Sequence, residues 1–259
     1  MTEATLKDVA QRTLGLIDLT NLNDDCTPAD IDVLCKNAVT PHGQVAAVCL
    51  YPQFVAQAVK LLKGTKIRVA TVVNFPAGGE DTAAVVTETI KAVEDGADDI
   101  DLVMPYKAFV AGRRGFAEDQ IKQIRAVIPE GVILKVILET GEIKDPRLIH
   151  LASEVSIAQG ADFIKTSTGK VKVNATLEAA EIMLNAIRET GKENHRPVGF
   201  KPAGGVRTVE EAKAYLDMAD ELMGHNWVSS ATFRFGASGL LNSVLAAIEG
   251  KSNNNTEAY

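Results

Sequence analysis

Apolar positions along this chain fall into short, nearly unbroken runs, separated by longer stretches in which they recur every three to four residues. The runs are LGLIDLT (14–20), AAVCL (46–50), IRVATVV (67–73), DIDLVM (99–104), VILKVIL (132–138), DFIKTS (162–167), VGFKPA (198–203) and TFRFGA (232–237). A short apolar run suits a strand buried on both faces, and the intervening period suits amphipathic helices. Eight such pairs alternate, a pattern of βαβ units rather than hairpins. Two helix starts are marked in the sequence: Thr27-Pro28-Ala29-Asp30 sets a capping threonine before a first-turn proline, and Thr208-Val209-Glu210-Glu211 is a capping box after a Gly-Gly turn. The opening MTEATLKDVAQRT also has an amphipathic helical period. Eight parallel strands with eight crossovers predict an α/β fold, a single (β/α)8 TIM barrel over residues 1–250. An open doubly wound sheet is the competing fold, but the glycine-rich fingerprint it carries after its first strand is missing. Residues 251–259 close the sequence as a polar tail ending in Tyr259, too hydrophilic to pack a core.

Composition narrows the partners. A chain of 259 residues with 46% hydrophobic content can bury one large core. Its net charge of −7 and dispersed acidic residues offer no basic patch for nucleic acid. Cys26, Cys35 and Cys49 form no CxxC pair and leave an odd count, which suits free thiols in a reducing compartment, the cytoplasm. No apolar leader opens the sequence and no run is long enough for a bilayer span, so a soluble protein without membrane contact is expected. If the chain self-associates, a homodimer is the expected assembly.

Several predicted strands carry charges that burial on both faces should exclude: Asp18, Asp101, Lys135, Lys165, Lys201 and Arg234. Any one of them alone reads as a structural ion pair or a rim residue. Together, the three lysines fall toward the carboxyl ends of successive strands, where barrel enzymes place their chemistry. Adjacent strands would bring the Lys165 and Lys201 amines to roughly 5 Å. At that distance their repulsion, about 3 kcal/mol, would lower one pKa and leave an amine that attacks carbonyls. On spacing alone a plain salt bridge to Asp101 explains the pair equally well, and the choice of nucleophile stays open among Lys165, Lys201 and Lys135.

Pro202-Ala203-Gly204-Gly205-Val206-Arg207-Thr208 follows the seventh run and Gly236-Ala237-Ser238-Gly239 the eighth, the positions at which barrels cradle a phosphate on bare backbone N–H groups. Tight turns use the same glycines. Lys170, Lys172 and Arg207 could add charge or simply be solvated. His42, His150, His195 and His225 are scattered without metal-ligand spacing, so no metal is expected. Cys49 lacks a positioned histidine base and reads as a packed thiol, and no GxSxG elbow is present.

The segments Asp162-Phe163-Ile164-Lys165-Thr166-Ser167-Thr168-Gly169 and Gly199-Phe200-Lys201-Pro202-Ala203-Gly204-Gly205-Val206-Arg207 closely resemble deoxyribose-phosphate aldolases. Further landmarks of that family follow in order over nearly the whole chain: Asp18-Leu19-Thr20, Val48-Cys49-Leu50-Tyr51-Pro52, Asn74-Phe75-Pro76, Gly96 through Asp101, Lys135 through Gly141, and Arg234 through Ser238. The resemblance implies cofactor-independent, reversible cleavage of 2-deoxy-D-ribose 5-phosphate to acetaldehyde and D-glyceraldehyde 3-phosphate through a Schiff base. By position it makes Lys165 the imine-forming lysine, Lys201 the cation that lowers its pKa, and Asp101 a proton-transfer residue working with a water. It places the phosphate at Gly169, Lys170, Gly204, Gly205 and Ser238, with Arg207, Gly236 and Gly239 in the same loops. Asp18, Thr20, Cys49, Lys135 and Thr168 would line the substrate pocket. The family commonly has a second serine where this chain has Gly239, so a hydroxyl contact gives way to a backbone N–H. Tyr259 matches a terminal tyrosine that in some members helps move a proton at the substrate's C2. Partners would be the sugar phosphate and small aldehydes. A different Schiff-base sugar-phosphate barrel, such as a transaldolase, or a barrel that only binds a phosphorylated metabolite, would share much of this pattern.

Overall fold

Parallel pairing joins eight strands in the order in which the chain makes them. They are β1 (Ile17–Asn21), β2 (Ala47–Leu50), β3 (Arg68–Val73), β4 (Asp99–Val103), β5 (Ile133–Ile137), β6 (Phe163–Lys165), β7 (Gly199–Lys201) and β8 (Phe235–Ala237). The computed structural model describes residues 5–194 and 196–251, so Tyr259 and the tail from 252, together with His195, lie outside the described residues. Closure comes from β1 pairing with β8 in the register Asp18↔Gly236 and from parallel bridges Phe200↔Phe233 and Ala203↔Gly236 between the last two strands. The result is the expected (β/α)8 barrel, with helices Pro28–Asn37, Val55–Leu61, Thr82–Glu94, Arg114–Val127, Pro146–Ala158, Leu177–Asn194, Val209–Met223 and Leu240–Ile248 following the strands in turn. Among the described residues no helix is long and apolar enough to cross a membrane.

Both capping sites close as the sequence implies. Thr27 and Thr208 each accept from the backbone of the third helical residue, whose own carboxylate returns to the cap. Two boundaries differ from the hydrophobic pattern. Leu14 and Leu16 are buried but belong to an earlier helix, Leu6–Leu14, and its exit, so the first strand begins only at Ile17. Apolar content alone does not separate the two, because that helix packs its buried face on Leu240–Ile248. Thr232 and Arg234 stay outside β8, because Thr232 and Phe233 are held by Ser229 in a turn that joins the strand late. A short antiparallel ribbon, Val39–Thr40 with Gly43–Gln44, precedes β2 and was not expected. Two residues per arm carry too little alternation to register in the sequence.

Side chains pointing into the barrel form an unusual core. Phe163 fills part of it, and a Cβ on Gly199, its register partner on the adjacent strand, would stand 2.3 Å from the Phe163 ring, so that strand needs glycine there. The ring lies beneath two cations, with Lys135 Nζ 5.9 Å and Arg234 Cζ 5.8 Å from its centre. Where apolar layers usually fill a barrel, this one is threaded by charge.

Candidate active site

Strand alternation sends residues two apart to the same face, so Asp99 and Asp101 of β4 both enter the barrel. Lys165 and Lys201 end β6 and β7 as register partners, whereas Lys135 sits in the middle of β5, two residues before Ile137, the register partner of Lys165. Lys165 keeps 2% of its surface exposed, and Lys135, Lys201, Asp18, Asp99 and Asp101 keep none. Lys135 is therefore beneath the mouth rather than at its lip, where the sequence had placed it.

These groups form one connected network. Asp101 Oδ2 accepts hydrogen bonds from both Lys165 Nζ and Lys201 Nζ at 2.8 Å, and its Oδ1 accepts from Lys135 Nζ at 3.0 Å. Lys201 also donates to Asp18 Oδ2 at 2.5 Å, and Arg234 donates to Asp18 Oδ1 at 2.7 Å. Lys135 reaches Asp99 Oδ2 at 2.6 Å, and Arg68 closes the lower end on Asp99 Oδ1 at 2.6 Å. The two end-of-strand amines are thus no farther apart than twice their distance to the shared oxygen. The expected closeness is present, but the expected unrelieved repulsion is not, because a carboxylate oxygen stands between the charges. Burial works against ionising Lys201, yet Asp101 and Asp18 outweigh it and hold its ammonium above the ordinary lysine range. Burial likewise opposes ionisation of Asp101, and Lys135, Lys165 and Lys201 overcome it, holding the carboxyl well below its ordinary value. Asp18 follows the same balance under Lys201, Arg234 and Lys135.

Thr20 and Cys49 are register partners on β1 and β2, with Thr20 Oγ1 donating to the Asp18 carbonyl at 2.8 Å. Cys49 is fully buried against Leu22, Ala47, Ala70 and Val72. Burial pushes its thiol up, so it packs as a neutral group.

Three loops meet beside the lysines. Gly204 N donates to Gly236 O at 3.3 Å, and Ala175 N donates to Gly204 O at 3.3 Å, joining the turns after β7, β8 and β6. Gly169, Gly204 and Gly205 have φ of 86°, 81° and 93°, a region side chains rarely enter. A Cβ on Gly236 would stand 2.8 Å from Ala203 Cβ and 3.1 Å from Lys201 Cε. Ser238 and Gly239 are exposed at the start of helix Leu240–Ile248, and Arg207 is exposed, its backbone N donating to Glu211 at 2.6 Å. Lys170 extends from the β6 loop to Asp24 of the β1 loop, Nζ to Oδ1 2.7 Å, while Tyr51 also donates to Asp24. Thr168, buried, donates to Glu139 Oε2 at 2.6 Å.

Asp99 and Glu139 escaped the reading of the sequence. Asp99 opens its strand, a position that looks solvated, although its period-two relation to Asp101 was the available signal. Glu139 follows a strand end in a left-handed conformation, φ 61° and ψ 59°, which apolar pattern does not encode. Burial pushes its carboxyl up despite the bonds from Thr168.

With this geometry in place, similarity to known proteins becomes specific. Residues 13–245 match the model of the DeoC/LacD family of aldolases. A deoxyribose-phosphate aldolase from Agrobacterium fabrum (strain C58 / ATCC 33970) is 56% identical over 245 residues, covering 94% of this chain and 93% of that protein. A Toxoplasma gondii ME49 structure assigned to deoxyribose-phosphate aldolase superposes with a TM-score of 0.86 at 25% identity, covering 95% of this chain and 96% of that one. The tetrameric deoxyribose phosphate aldolase of Aeropyrum pernix shares the fold at a TM-score of 0.70 and 22% identity, over 95% and 92% of the two chains. This chain belongs to the DeoC/LacD family of aldolases.

Proposed function

We propose that the chain cleaves 2-deoxy-D-ribose 5-phosphate reversibly to acetaldehyde and D-glyceraldehyde 3-phosphate, with Lys165 as the Schiff-base lysine. The observation that carries this assignment is how the buried carboxylates are shared among the three lysines. Lys135 has three carboxylates within 4.0 Å and Lys201 has two, whereas Lys165 leans only on Asp101. Neutralising Lys165 therefore breaks the fewest ion pairs, and it is also the lysine with surface left for a substrate.

Lys165 Nζ attacks the C1 carbonyl to give a carbinolamine. Proton exchange through Asp101 and the adjacent Lys201 assists loss of water to the protonated imine. The imine accepts the electron pair released as C2–C3 breaks, the C3 hydroxyl loses its proton, and glyceraldehyde 3-phosphate departs. The remaining enamine is protonated at C2, the step assigned to Tyr259, and hydrolysis returns acetaldehyde and the free amine. The turns at Gly169, Gly204, Gly205, Gly236, Ser238 and Gly239 would hold the phosphate, with Lys170 and Arg207 supplying charge. Asp18, Thr20, Cys49, Lys135 and Thr168 shape the pocket or its floor. No cofactor enters the scheme.

The finer expectations belong to the same reading. Three cysteines without disulfide partners support a cytoplasmic location. The exposed Val33, Val59 and Leu61 on neighbouring helices support a homodimer, which sedimentation would test.

Borohydride reduction in the presence of acetaldehyde tests the chemistry directly. A two-carbon adduct is expected on the peptide bearing Lys165, and Lys165→Ala should lose both adduct and turnover. An adduct on Lys201, or an active Lys165→Ala protein, would overturn the assignment.

A further inference from the structure

Among the described residues, the carboxylates with no exposed surface are Asp18, Asp99, Asp101 and Glu139. The first three are bonded to lysines and arginines inside the barrel. Glu139 makes no ion pair among the described residues, and Lys165, the cation whose charge it feels, donates to Asp101 instead. The backbone on either side of Glu139 is fixed to the exit of β6: Leu138 N donates to Lys165 O at 2.9 Å and Thr140 N to Thr166 O at 3.0 Å. Between these anchors the left-handed conformation at 139 turns the side chain across to the loop after β6. There a single residue takes both oxygens. Oε1 accepts from Thr168 N at 3.2 Å, and Oε2 accepts from Thr168 Oγ1 at 2.6 Å. With its one proton committed to Glu139, Thr168 Oγ1 in turn accepts from Lys170 N at 3.0 Å.

Glu139 costs the fold stability in two ways. Burial presses its carboxyl toward the neutral form, so its charge is disfavoured at neutral pH. A left-handed backbone adds strain for any residue with a side chain. Groups retained at such a cost cluster where geometry serves binding or chemistry. What Glu139 sets is the turn at 168–170. Thr168 N and Lys170 N are both engaged inward, so of three successive N–H groups only that of Gly169 has no partner among the described residues. Gly169 is exposed, its φ is 86°, and open space lies where a Cβ would stand. One bare amide is thereby left at the edge of the proposed phosphate cradle, with the Lys170 side chain starting from the next residue.

We propose that Glu139 is a positioning residue for phosphate: by holding the Thr168 N–H and hydroxyl, its carboxylate shapes the turn that presents the Gly169 N–H and Lys170 to a phosphorylated substrate. This rests on the phosphate site proposed above and is independent of the imine chemistry at Lys165. The test uses the full chain and Glu139→Gln, whose amide keeps the size but has one oxygen for two Thr168 donors. Calorimetric titration with inorganic phosphate should show binding weakened about threefold to tenfold. KM for 2-deoxy-D-ribose 5-phosphate should rise in step while kcat changes little. The acetaldehyde adduct trapped on Lys165 should form as in the parent, and the thermal midpoint at neutral pH should be no lower, because a buried charge has been removed. Thr168→Val should weaken phosphate to the same degree, and the double variant should bind no worse than either single one. Phosphate binding unchanged or tighter in both single variants, or a lowered midpoint with phosphate binding intact, would overturn the proposal. Loss of the Lys165 adduct in Glu139→Gln would overturn it too, by moving Glu139 into the imine chemistry. A parent protein that fails to bind phosphate would sink the phosphate site itself, whereas parental binding with unaltered variants sinks this inference alone.

Discussion

Asp101 is the residue on which the site turns, because one of its oxygens serves two ammonium groups and the other serves a third. Sequence made most of this cluster legible for a simple reason: a charge inside an apolar run has no cheap place to go. It could not say that a carboxylate would lie between Lys165 and Lys201, since a distance between strands does not reveal what fills the gap. That arrangement keeps Lys201 charged and leaves Lys165 with the least anionic company. Lys201→Leu should accordingly lower kcat by about 10²–10⁴-fold while phosphate binding persists, read as a kcat loss with little change in inhibition by inorganic phosphate. The same variant strips Asp18 and Asp101 of a partner, so a loss of about 3–5 kcal/mol in urea unfolding is expected alongside it.

At the scale of elements, helix starts were read well because capping is local: Thr27 and Thr208 and their acidic partners lie within one turn. Thr208→Ala should cost about 1 kcal/mol of stability, measurable by urea denaturation, with activity retained. Strand ends were read less well, because where a ladder stops depends on the neighbour. Residues 166 and 167 end the sixth apolar run in sequence but lie outside β6, as Thr166 Oγ1 accepts from Ala203 N at 3.0 Å and ties the loop to the turn after β7. Gly199 shows the same dependence, since its need for a bare backbone is set by Phe163, a residue 36 positions earlier. Gly199→Ala should destabilise the barrel by about 1–3 kcal/mol or more, since ring and methyl would compete for one space. A midpoint within error of the parent would show that Phe163 can move aside.

For the whole molecule, the buried network ties stability to pH. Asp18 and Asp101 ionise at lower pH in the folded chain than when unfolded, so their contribution is present above the ordinary carboxylate value of 3.8 and is lost as pH falls through the depressed folded values. Lys201 has the opposite sense: its contribution is complete below the ordinary 10.5 and fades only as pH rises through its raised folded value. Glu139 works against the fold once pH passes above its ordinary 4.5, because the buried carboxyl resists ionising. A broad plateau with a steep acid edge is expected, and Asp101→Asn should lower the plateau and flatten that edge in urea midpoints measured from about pH 5 to pH 2.5. The rim offers a different consequence. Asp24 and Lys170 join loops from distant parts of the chain, and an ammonium proposed to greet an incoming phosphate is already occupied by a carboxylate the protein supplies itself. On that proposal Asp24 is a resident rival of the substrate, and a productive encounter would begin with an exchange of anions. Asp24→Asn should lower KM for the phosphorylated sugar by about two- to fivefold at low ionic strength with kcat unchanged, and added salt should erase the difference.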